Sequence, residues 1–519
     1  MEEAELRGFV SSHIKDGAWQ VVLQFVAGLL SDREEPLTDI FTNLLPMSTY
    51  KEECELDNGV MTTCWPKWKE RNLALTLCHC LYEIDVEDSA VRNKVREIAF
   101  NAVVFEDCQL GPVDCTALIN FLKMQNGILM IDLRWNNIGS LGCKQISEFC
   151  SRRVIDHDNN WKPIRILNLF ESKITDEGVK YLADALKDTN CKLNSLSLSK
   201  NEITDKGVKY LADALKDRNC KLKSLSLFEN NKIWRKTKKI TDEGVKYLAE
   251  ALKDGDCKLN CLDLSESNAT AEGLKYLAEA LKDSTCKLNS LHLSGENVTD
   301  EGVKYLAEAL KDSYCKLNSL HLSGKNATAE GVKYLAEALK DSNCKLNNLR
   351  LSGENVTDEG VKYLAEAQKD GNCKLNSLYL SGNNSTSEGV KHLSEALKDS
   401  SCKLNTLILS GQNVTDEAVK HLAEALKDSN FKLNSLHLSG KNVTDEGVKH
   451  LAEALKDSNS KLNSLCLFGK NITDKGVKYL AEALKDSSCK LNNLHVTGDK
   501  AFWKTTRLTY EVAKNLVEV

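Results

Sequence analysis

The chain has 519 residues, of which 28% are charged, and the charges nearly balance to leave a formal net charge of −6 at pH 7. No strong overall field therefore favours nucleic acid or a membrane surface as a partner. The sequence contains no apolar stretch of the roughly 18 residues that a membrane span requires. Its acidic start, MEEAELRGFV, lacks the basic and apolar regions of a signal peptide.

Residues 1–98 predict a small α-helical domain. Apolar periodicity predicts helices over residues 19–30, 37–45 and 67–84, and residues 90–100 lead into the first strand of a regular array. The third helix carries Cys78, His79 and Cys80, with Cys54 and Cys64 upstream. Structural zinc ligands are usually paired two to four residues apart. The spacing Cys-His-Cys therefore favours packing in the core over a metal site.

The remainder of the chain is built from a 29-residue repeat, of which residues 286–314 are one copy. A unit of this length is typical of one strand followed by one helix. Within it, Leu291 and Leu293 alternate on one face of a strand. Val303, Leu306 and Leu310 then follow at helical spacing, which predicts an amphipathic helix. Thr299 or Asp300 is expected to cap that helix.

Stacking of these units predicts the architecture. A single unit buries too little apolar surface to offset its chain entropy, so neighbouring units must cover both flanks. Strands lie about 4.8 Å apart whereas helices need about 10 Å. The stack therefore curves into a horseshoe with a parallel sheet on its concave side and helices on its convex side. We count fourteen units, with repeats over residues 99–490 and a last degenerate repeat and C-terminal cap over residues 491–519.

The LxxLxL strands and the helices that follow resemble leucine-rich repeats of the ribonuclease-inhibitor type over roughly residues 99–519. That family places Asn or Cys three residues after the last strand leucine, to satisfy backbone groups of the turn. We expect a preceding glycine such as Gly295 or Gly324 to let the turn bulge and point a charged residue outward. The family position is filled by Cys108, Asn136, Asn201, Asn230 and Asn383, and elsewhere by Glu296, Lys325, Glu354, Gln412, Lys441 and Lys470.

The stretches VLQFVAGLLS and LTLCHCLYEID resemble the helical domain that precedes the repeats in NLR innate immune receptors. No GxxxxGK[ST] loop occurs, so this chain is similar to the C-terminal part of an NLR without its NACHT domain, and we expect it to bind neither nucleotide nor another cofactor. The resemblance implies ligand sensing or autoinhibition. A free-standing inhibitor resembling ribonuclease inhibitor is the alternative, although the helical N-terminus argues against it.

Nineteen cysteines bear on the compartment, because most recur once per repeat just before the strand. Phe431 and Ser460 occupy that place in two repeats, which indicates a buried slot filled by a free thiol and hence a cytoplasmic protein. Eight Asn-x-Thr sequons from Asn268 to Asn471 allow an extracellular glycosylated receptor instead, but the threonine also suits a helix cap. The recurring cysteines are Cys191, Cys220, Cys257, Cys286, Cys315, Cys344, Cys373, Cys402 and Cys489.

The middle residue of each strand varies while the flanking leucines do not. This residue points to the concave surface, so its variation is typical of a protein-binding face on a fixed frame, with drift at a tolerant position as the alternative. A metal pair or pH response at His292 and His321 is a further alternative. The predicted partner-binding residues are Asp263, His292, His321, Arg350, Tyr379, Ile408, His437 and His495.

One repeat carries a basic insertion, and the sequence lacks a recognisable catalytic grouping. The 37-residue spacing from Cys220 to Cys257 holds a basic loop that suits nucleic acid or an acidic partner, although a charge run is usually only a solvated loop. No Ser/His/Asp grouping or carboxylate pair exceeds the repeat background, so we expect no enzyme activity. The loop contains Lys232, Trp234, Arg235, Lys236, Lys238 and Lys239.

Overall fold

The structure is a computed structural model. Two compact units divide the chain, one formed by residues 1–240 and 254–262 and the other by residues 241–253 and 263–519. The residues that the structure describes are 3–15, 19–31, 39–53, 61–83, 95–98, 100–125, 127–152, 163–230, 240–295, 298–324, 328–353, 357–381, 386–411, 414–498 and 506–508.

The first unit begins with helices α1 (Glu3–His13), α2 (Gln20–Ser31), α3 (Asp39–Thr42) and α4 (Arg71–Glu83). The helices predicted over residues 19–30 and 67–84 are confirmed, whereas the helix predicted over 37–45 is only four residues long. The segment predicted to lead into the first strand lies mostly outside the described residues. Cys78, His79 and Cys80 are buried, and His79 Nε2 lies 2.7 Å from Asp114 Oδ1, so these residues pack in the core as predicted.

A β-hairpin lies between α3 and α4, where only helices were predicted. Strand β1 (Tyr50–Glu53) pairs antiparallel with β2 (Met61–Trp65), and β2 pairs parallel with the first repeat strand, β3 (Ala102–Val104). The Trp65 side chain is fully buried and stacks on Phe100 and Phe121, with ring centroids 5.2 and 4.8 Å away. Its Nε1 donates to the Pro46 carbonyl at 2.7 Å. The hairpin therefore covers the apolar edge of the first repeat.

The repeats of the first unit alternate strand and helix. Their strands pair in parallel, and their helices pack in the same order along the chain. After β3 the elements are α5 (Pro112–Lys123), β4 (Met130–Asp132), α6 (Gly139–Cys150), β5 (Ile166–Asn168), α7 (Asp176–Leu186), β6 (Ser195–Ser197), α8 (Asp205–Leu215) and β7 (Ser224–Ser226). The next strand is β8 (Cys261–Asp263), whose first two residues belong to the first unit and whose last residue belongs to the second.

The second unit repeats with a constant 29-residue register, so that Ser290 pairs with Ser319 and Ser319 with Asn348. Its elements are α9 (Asp242–Leu252), α10 (Ala271–Leu281), β9 (Ser290–Ser294), α11 (Asp300–Leu310), β10 (Ser319–Ser323), α12 (Ala329–Leu339), β11 (Asn348–Ser352), α13 (Asp358–Gln368), β12 (Ser377–Ser381), α14 (Ser387–Leu397), β13 (Thr406–Ser410), α15 (Asp416–Leu426), β14 (Ser435–Ser439), α16 (Asp445–Leu455), β15 (Ser464–Phe468), α17 (Asp474–Leu484), β16 (Asn493–Thr497) and β17 (Thr506–Leu508).

Strands β3–β16 supply one repeat strand to each of the fourteen predicted units within the described residues. In each repeat the leucines lie between the strand layer and the helix layer. Leu291, Leu293 and Leu306, for example, are at most 2% exposed. The thiol slot before the strand is also confirmed, because Cys220, Phe431 and Ser460 are all 1–2% exposed. Burial raises the pKa of the Cys220 thiol to about 11.

The turns after the strands follow two patterns. In the first unit, the buried Asn136 donates to the carbonyls of Phe105 and Leu133 and accepts from the Leu110 amide. Toward the C-terminus, Lys441 and Lys470 fill the equivalent position and are exposed, as predicted. The neighbouring Asn471 donates to the Lys441 carbonyl at 2.7 Å. Of the other non-Asn positions predicted to point outward, Glu296, Lys325, Glu354 and Gln412 lie outside the described residues.

Helix capping links successive repeats. Thr328 is the N-cap of α12, and its amide and hydroxyl donate to the carboxylate of Asp300, the first residue of the preceding repeat helix, each at 2.7 Å. The Gly331 amide donates to the same Asp300 carboxylate at 2.9 Å. Of the two predicted caps of α11, Thr299 is confirmed, because its hydroxyl accepts from the Gly302 amide at 3.4 Å. Asp300 instead serves the following helix. The aspartates with this role are Asp176, Asp242, Asp300, Asp358, Asp416 and Asp445.

Helices that begin with another residue offer no carboxylate to the next repeat. Ala329 and Ser387 begin two such helices. After Ser387, the next N-cap, Thr415, accepts from the amide of Ala418 in its own helix at 3.3 Å. Ala418 stands where the other repeat helices of the second unit have glycine. The chain therefore has alanine at this position only where the preceding helix lacks an aspartate.

Candidate functional site

The candidate site is the strand face, which we define as the sheet surface opposite the helices. In β9 and every later repeat strand, the two residues that flank the middle residue are buried, whereas the middle residue itself is half-buried or exposed. The flanking residues are leucines, except that β16 has valine in the second place. Parallel pairing without offset brings these middle residues side by side in one row. We call this the mid-strand row: Asp263, His292, His321, Arg350, Tyr379, Ile408, His437, Cys466 and His495.

In the first part of the row, two histidines lie between a negatively charged and a positively charged side chain. The Leu264 amide donates to the His292 carbonyl at 3.0 Å, which places Asp263 beside His292. The rings of His292 and His321 meet edge to face, with centroids 5.4 Å apart. Arg350 follows on the next strand and is exposed. Charge along the row therefore runs from negative at Asp263 to positive at Arg350.

His321 is a half-buried histidine of the row. Its Nε2 is buried and has no hydrogen-bond partner. Burial, Arg350 and His292 lower the pKa of His321 to about 4, against an opposing effect of Asp263. Burial and His495 likewise lower the pKa of His437. Both imidazoles are therefore neutral near pH 7 and can bind a partner as polar, uncharged groups.

The stability of a His321→Gln variant should fall less in acid than the stability of the native chain. The ordinary pKa of 6.5 exceeds the folded-state pKa of about 4, so the unfolded chain takes up a proton at a pH where the folded chain does not. The contribution of His321 to the stability of the native chain is full above pH 6.5 and is lost as the pH falls toward 4. Melting temperatures of both proteins at several pH values should diverge in that window. A constant difference would contradict the lowered pKa.

Arg350 and Tyr379 interact on the strand face, where Arg350 is exposed and Tyr379 is half-buried. The Arg350 guanidinium carbon lies 4.0 Å from the centroid of the Tyr379 ring, which is a cation–π contact. The contact holds the guanidinium over the ring, and the Arg350 side chain remains exposed to solvent. Arginine and tyrosine are among the residues that dominate binding energy at protein interfaces. This pair can bind an acidic or planar group of a partner, and Ile408 adds an apolar surface beside it.

The other features considered in the sequence are the basic loop, a metal site and a membrane-spanning helix. All six residues of the predicted basic loop, Lys232, Trp234, Arg235, Lys236, Lys238 and Lys239, lie outside the described residues. Within the described part of the chain, no three His, Cys, Asp or Glu side chains converge with the geometry of a metal site. None of the helices in that part is both long and apolar enough to cross a membrane.

Sequence reasoning missed a cavity of about 360 Å³ at the carboxyl ends of β13–β16. Phe468 lines it and is 40% exposed, although the other repeat strands from β9 to β16 end in serine or threonine. That break in the repeat was the available signal. The sequence analysis compared repeats only at their middle strand residue, so it passed over the strand ends.

Comparison with known proteins gives a family model, a curated relative and several similar structures. The family model described as Leucine Rich repeat matches residues 162–183, 189–212, 285–307, 342–365 and 429–452. A curated relative, "NACHT, LRR and PYD domains-containing protein 4E" of Mus musculus, is 29% identical over 146 residues. That match covers 27% of this chain and 14% of the relative, so the chain spans about one seventh of its length.

Three solved structures are similar. A chain of the yeast Rad7–Elc1 complex has a TM-score of 0.38 and 21% identity, covering 64% of this chain and 81% of that one. An internalin, InlF, from Listeria monocytogenes has a TM-score of 0.35 and 17% identity, covering 75% and 89%. A chain of the TLR13–ssRNA13 complex has a TM-score of 0.34 and 16% identity, covering 77% and 56%. The repeated strand–helix units have the fold of a leucine-rich-repeat solenoid, and five segments of the chain match the family model.

Proposed function

We propose that this chain is the protein-binding repeat region of an NLR-like innate immune receptor in the cytoplasm. It senses a ligand, or keeps the receptor inactive, through the strand face. The observation that carries the proposal is the mid-strand row, where chemically different side chains follow one another on a frame of constant leucines. Solenoid repeats use such extended surfaces to bind other proteins. The name of the curated relative, which contains NACHT and LRR, supports the receptor assignment.

The row also suggests the chemistry of the partner. Small residues two positions before the middle residue, such as Ser290 and Ser319 beside His292 and His321, leave room for a partner to approach. Arg350 suits an acidic group, whereas Asp263 at the other end suits a basic one. A complementary protein surface would therefore bind in one orientation along the row. The function is binding rather than catalysis.

The double substitution Arg350→Glu with Tyr379→Ala tests the proposal. It removes the cation–π pair and reverses the charge, so we expect a loss of affinity of about 100-fold, as for interface residues of this type. The melting temperature should stay unchanged, because neither side chain is in the core. Partners cross-linked to the chain in cells that express it would be identified by mass spectrometry, and the affinity of each purified partner measured by calorimetry.

A matched control lies on the helix surface, where Lys304 Nζ is 5.6 Å from the Tyr334 ring centroid. Lys304→Glu with Tyr334→Ala makes the same chemical change away from the strand face and should leave the affinity unaltered. Partner binding that survives the strand-face change but is lost with the helix-surface change would move the site off the sheet and refute the proposal.

A further inference from the structure

The cavity of about 360 Å³ at the carboxyl ends of β13–β16 differs from the surfaces around it. Its polar lining comes from the hydroxyls of Ser410, Ser439 and Thr497 and from Lys441 and Lys470. Phe468 and three loop glycines complete the wall, and no carboxylate is among the lining residues described. A volume of this size accommodates a small ligand or one to two side chains.

Two departures from the repeat coincide here. The repeat strands from β9 to β14 end in serine, but β15 ends in Phe468, whose ring centroid lies 5.3 Å from that of His495. The turn position after the strand holds lysine in two successive repeats, at Lys441 and Lys470. The frame does not require either change, because neighbouring repeats fold with serine and with other turn residues. A half-exposed aromatic ring in a cavity that two lysines also line instead matches the needs of an anion that carries an apolar neighbour.

We propose that this cavity binds an acidic peptide segment of a partner protein. A carboxylate of the segment contacts Lys441 and Lys470, and an adjacent apolar side chain packs on Phe468. This inference rests on the proposed protein-binding function and extends its site, since Phe468 contacts His495 of the mid-strand row. The contact makes the cavity continuous with the strand face, so one partner chain can occupy both.

The probe is a fluorescein-labelled peptide of alternating glutamate and phenylalanine, with the glutamine–phenylalanine peptide for comparison. Fluorescence anisotropy should show saturable binding of the acidic peptide, and binding of the glutamine peptide that is at least about tenfold weaker. Added salt should weaken the acidic peptide more than the glutamine peptide. Equal binding of the two peptides, or no binding of either, would overturn the proposal.

Substitutions borrowed from other repeats locate the site without disturbing the frame. Lys441→Glu with Lys470→Glu introduces the residue found at Glu296 and Glu354, and should weaken the acidic peptide at least about tenfold. Phe468→Ser restores the common strand end and should also weaken it. The control Lys420→Glu with Lys478→Glu makes the same charge change on exposed helix positions and should have no effect.

Two further arms separate the possible outcomes. Lys304→Glu with Tyr334→Ala should leave peptide binding unchanged, because that pair lies on the helices α11 and α12. If the peptide fails to bind while a partner still depends on Arg350, only the cavity proposal falls. Saturable binding of adenosine monophosphate that is lost in the double lysine variant, without peptide binding, would assign the cavity to nucleotides and overturn the peptide proposal.

Discussion

Leu407→Asp should unfold the repeats around β13. The Leu407 side chain is completely buried between the strand and the helices. Its replacement loses about 1.5–3 kcal/mol of apolar burial and places a carboxylate where nothing can pair with it, which costs several kcal/mol more. Circular dichroism should show a lower and broader melting transition. Limited proteolysis should cut within the repeats around residue 407, because a solenoid unit contacts only its neighbours.

The adjacent residue supplies the control. Ile408 is as apolar as Leu407 in the sequence, but it belongs to the mid-strand row and is only half-buried. Ile408→Asp introduces the residue that Asp263 already provides at this position, so the free energy of unfolding should change by less than about 1 kcal/mol. If Ile408→Asp were the more damaging of the two, the middle residues would face the core and the proposed binding face would not exist.

Gly331→Ala should destabilise the chain, although alanine normally stabilises a helix by about 1 kcal/mol relative to glycine. A Cβ at Gly331 would lie 2.5 Å from Asp300 Oδ1. The Asp300 carboxylate would have to move and lose its bonds to Thr328 and the residue 331 amide. Loss of a helix cap costs about 0.5–2 kcal/mol. Because three hydrogen bonds to Asp300 are lost, the cost lies toward the upper end of that range. Against the gain of about 1 kcal/mol from alanine, we expect a net loss of up to about 1 kcal/mol in a chemical unfolding experiment.

Gly360→Ala is the matched control, because the preceding repeat helix begins with Ala329. A Cβ at Gly360 would meet Val332 Cβ at 3.4 Å, which is close to ordinary contact. This variant should be neutral or gain up to about 1 kcal/mol. Adding Gly331→Ala to Asp300→Ala should likewise cost nothing further, since the carboxylate is already absent. Equal losses for Gly331→Ala and Gly360→Ala would refute capping between repeats.

Much of the fold was predictable because the same local sequence patterns recur in successive repeats. The alternation of Leu291 and Leu293 gave the direction of each strand's side chains, and the helical spacing after Thr299 gave the helix. The substitution of Phe431 for cysteine identified a buried slot. Each of these signals is local to one 29-residue unit, and recurrence removes the ambiguity of a single short pattern.

The features that escaped prediction depend on contacts between distant residues. The strand Tyr50–Glu53 reads YKEE and has no apolar alternation, so only its pairing with β2 makes it a strand. Asp300 looked like a cap for its own helix, but stacking places its carboxylate against Thr328 of the next repeat. The candidate site divides in the same way. The mid-strand row follows from strand alternation, whereas the cavity beside Phe468 requires four strand ends to come together.

Hydroxyl-radical footprinting of the chain, with and without its purified partner, tests the strand face directly. Tyr379 lies in the mid-strand row, whereas Tyr305 and Tyr363 are on the helices α11 and α13, so the three tyrosines report on both surfaces with the same chemistry. We predict that partner binding protects Tyr379 and leaves the two helix tyrosines as reactive as before. Protection of Tyr305 and Tyr363 with no change at Tyr379 would contradict binding through the strand face.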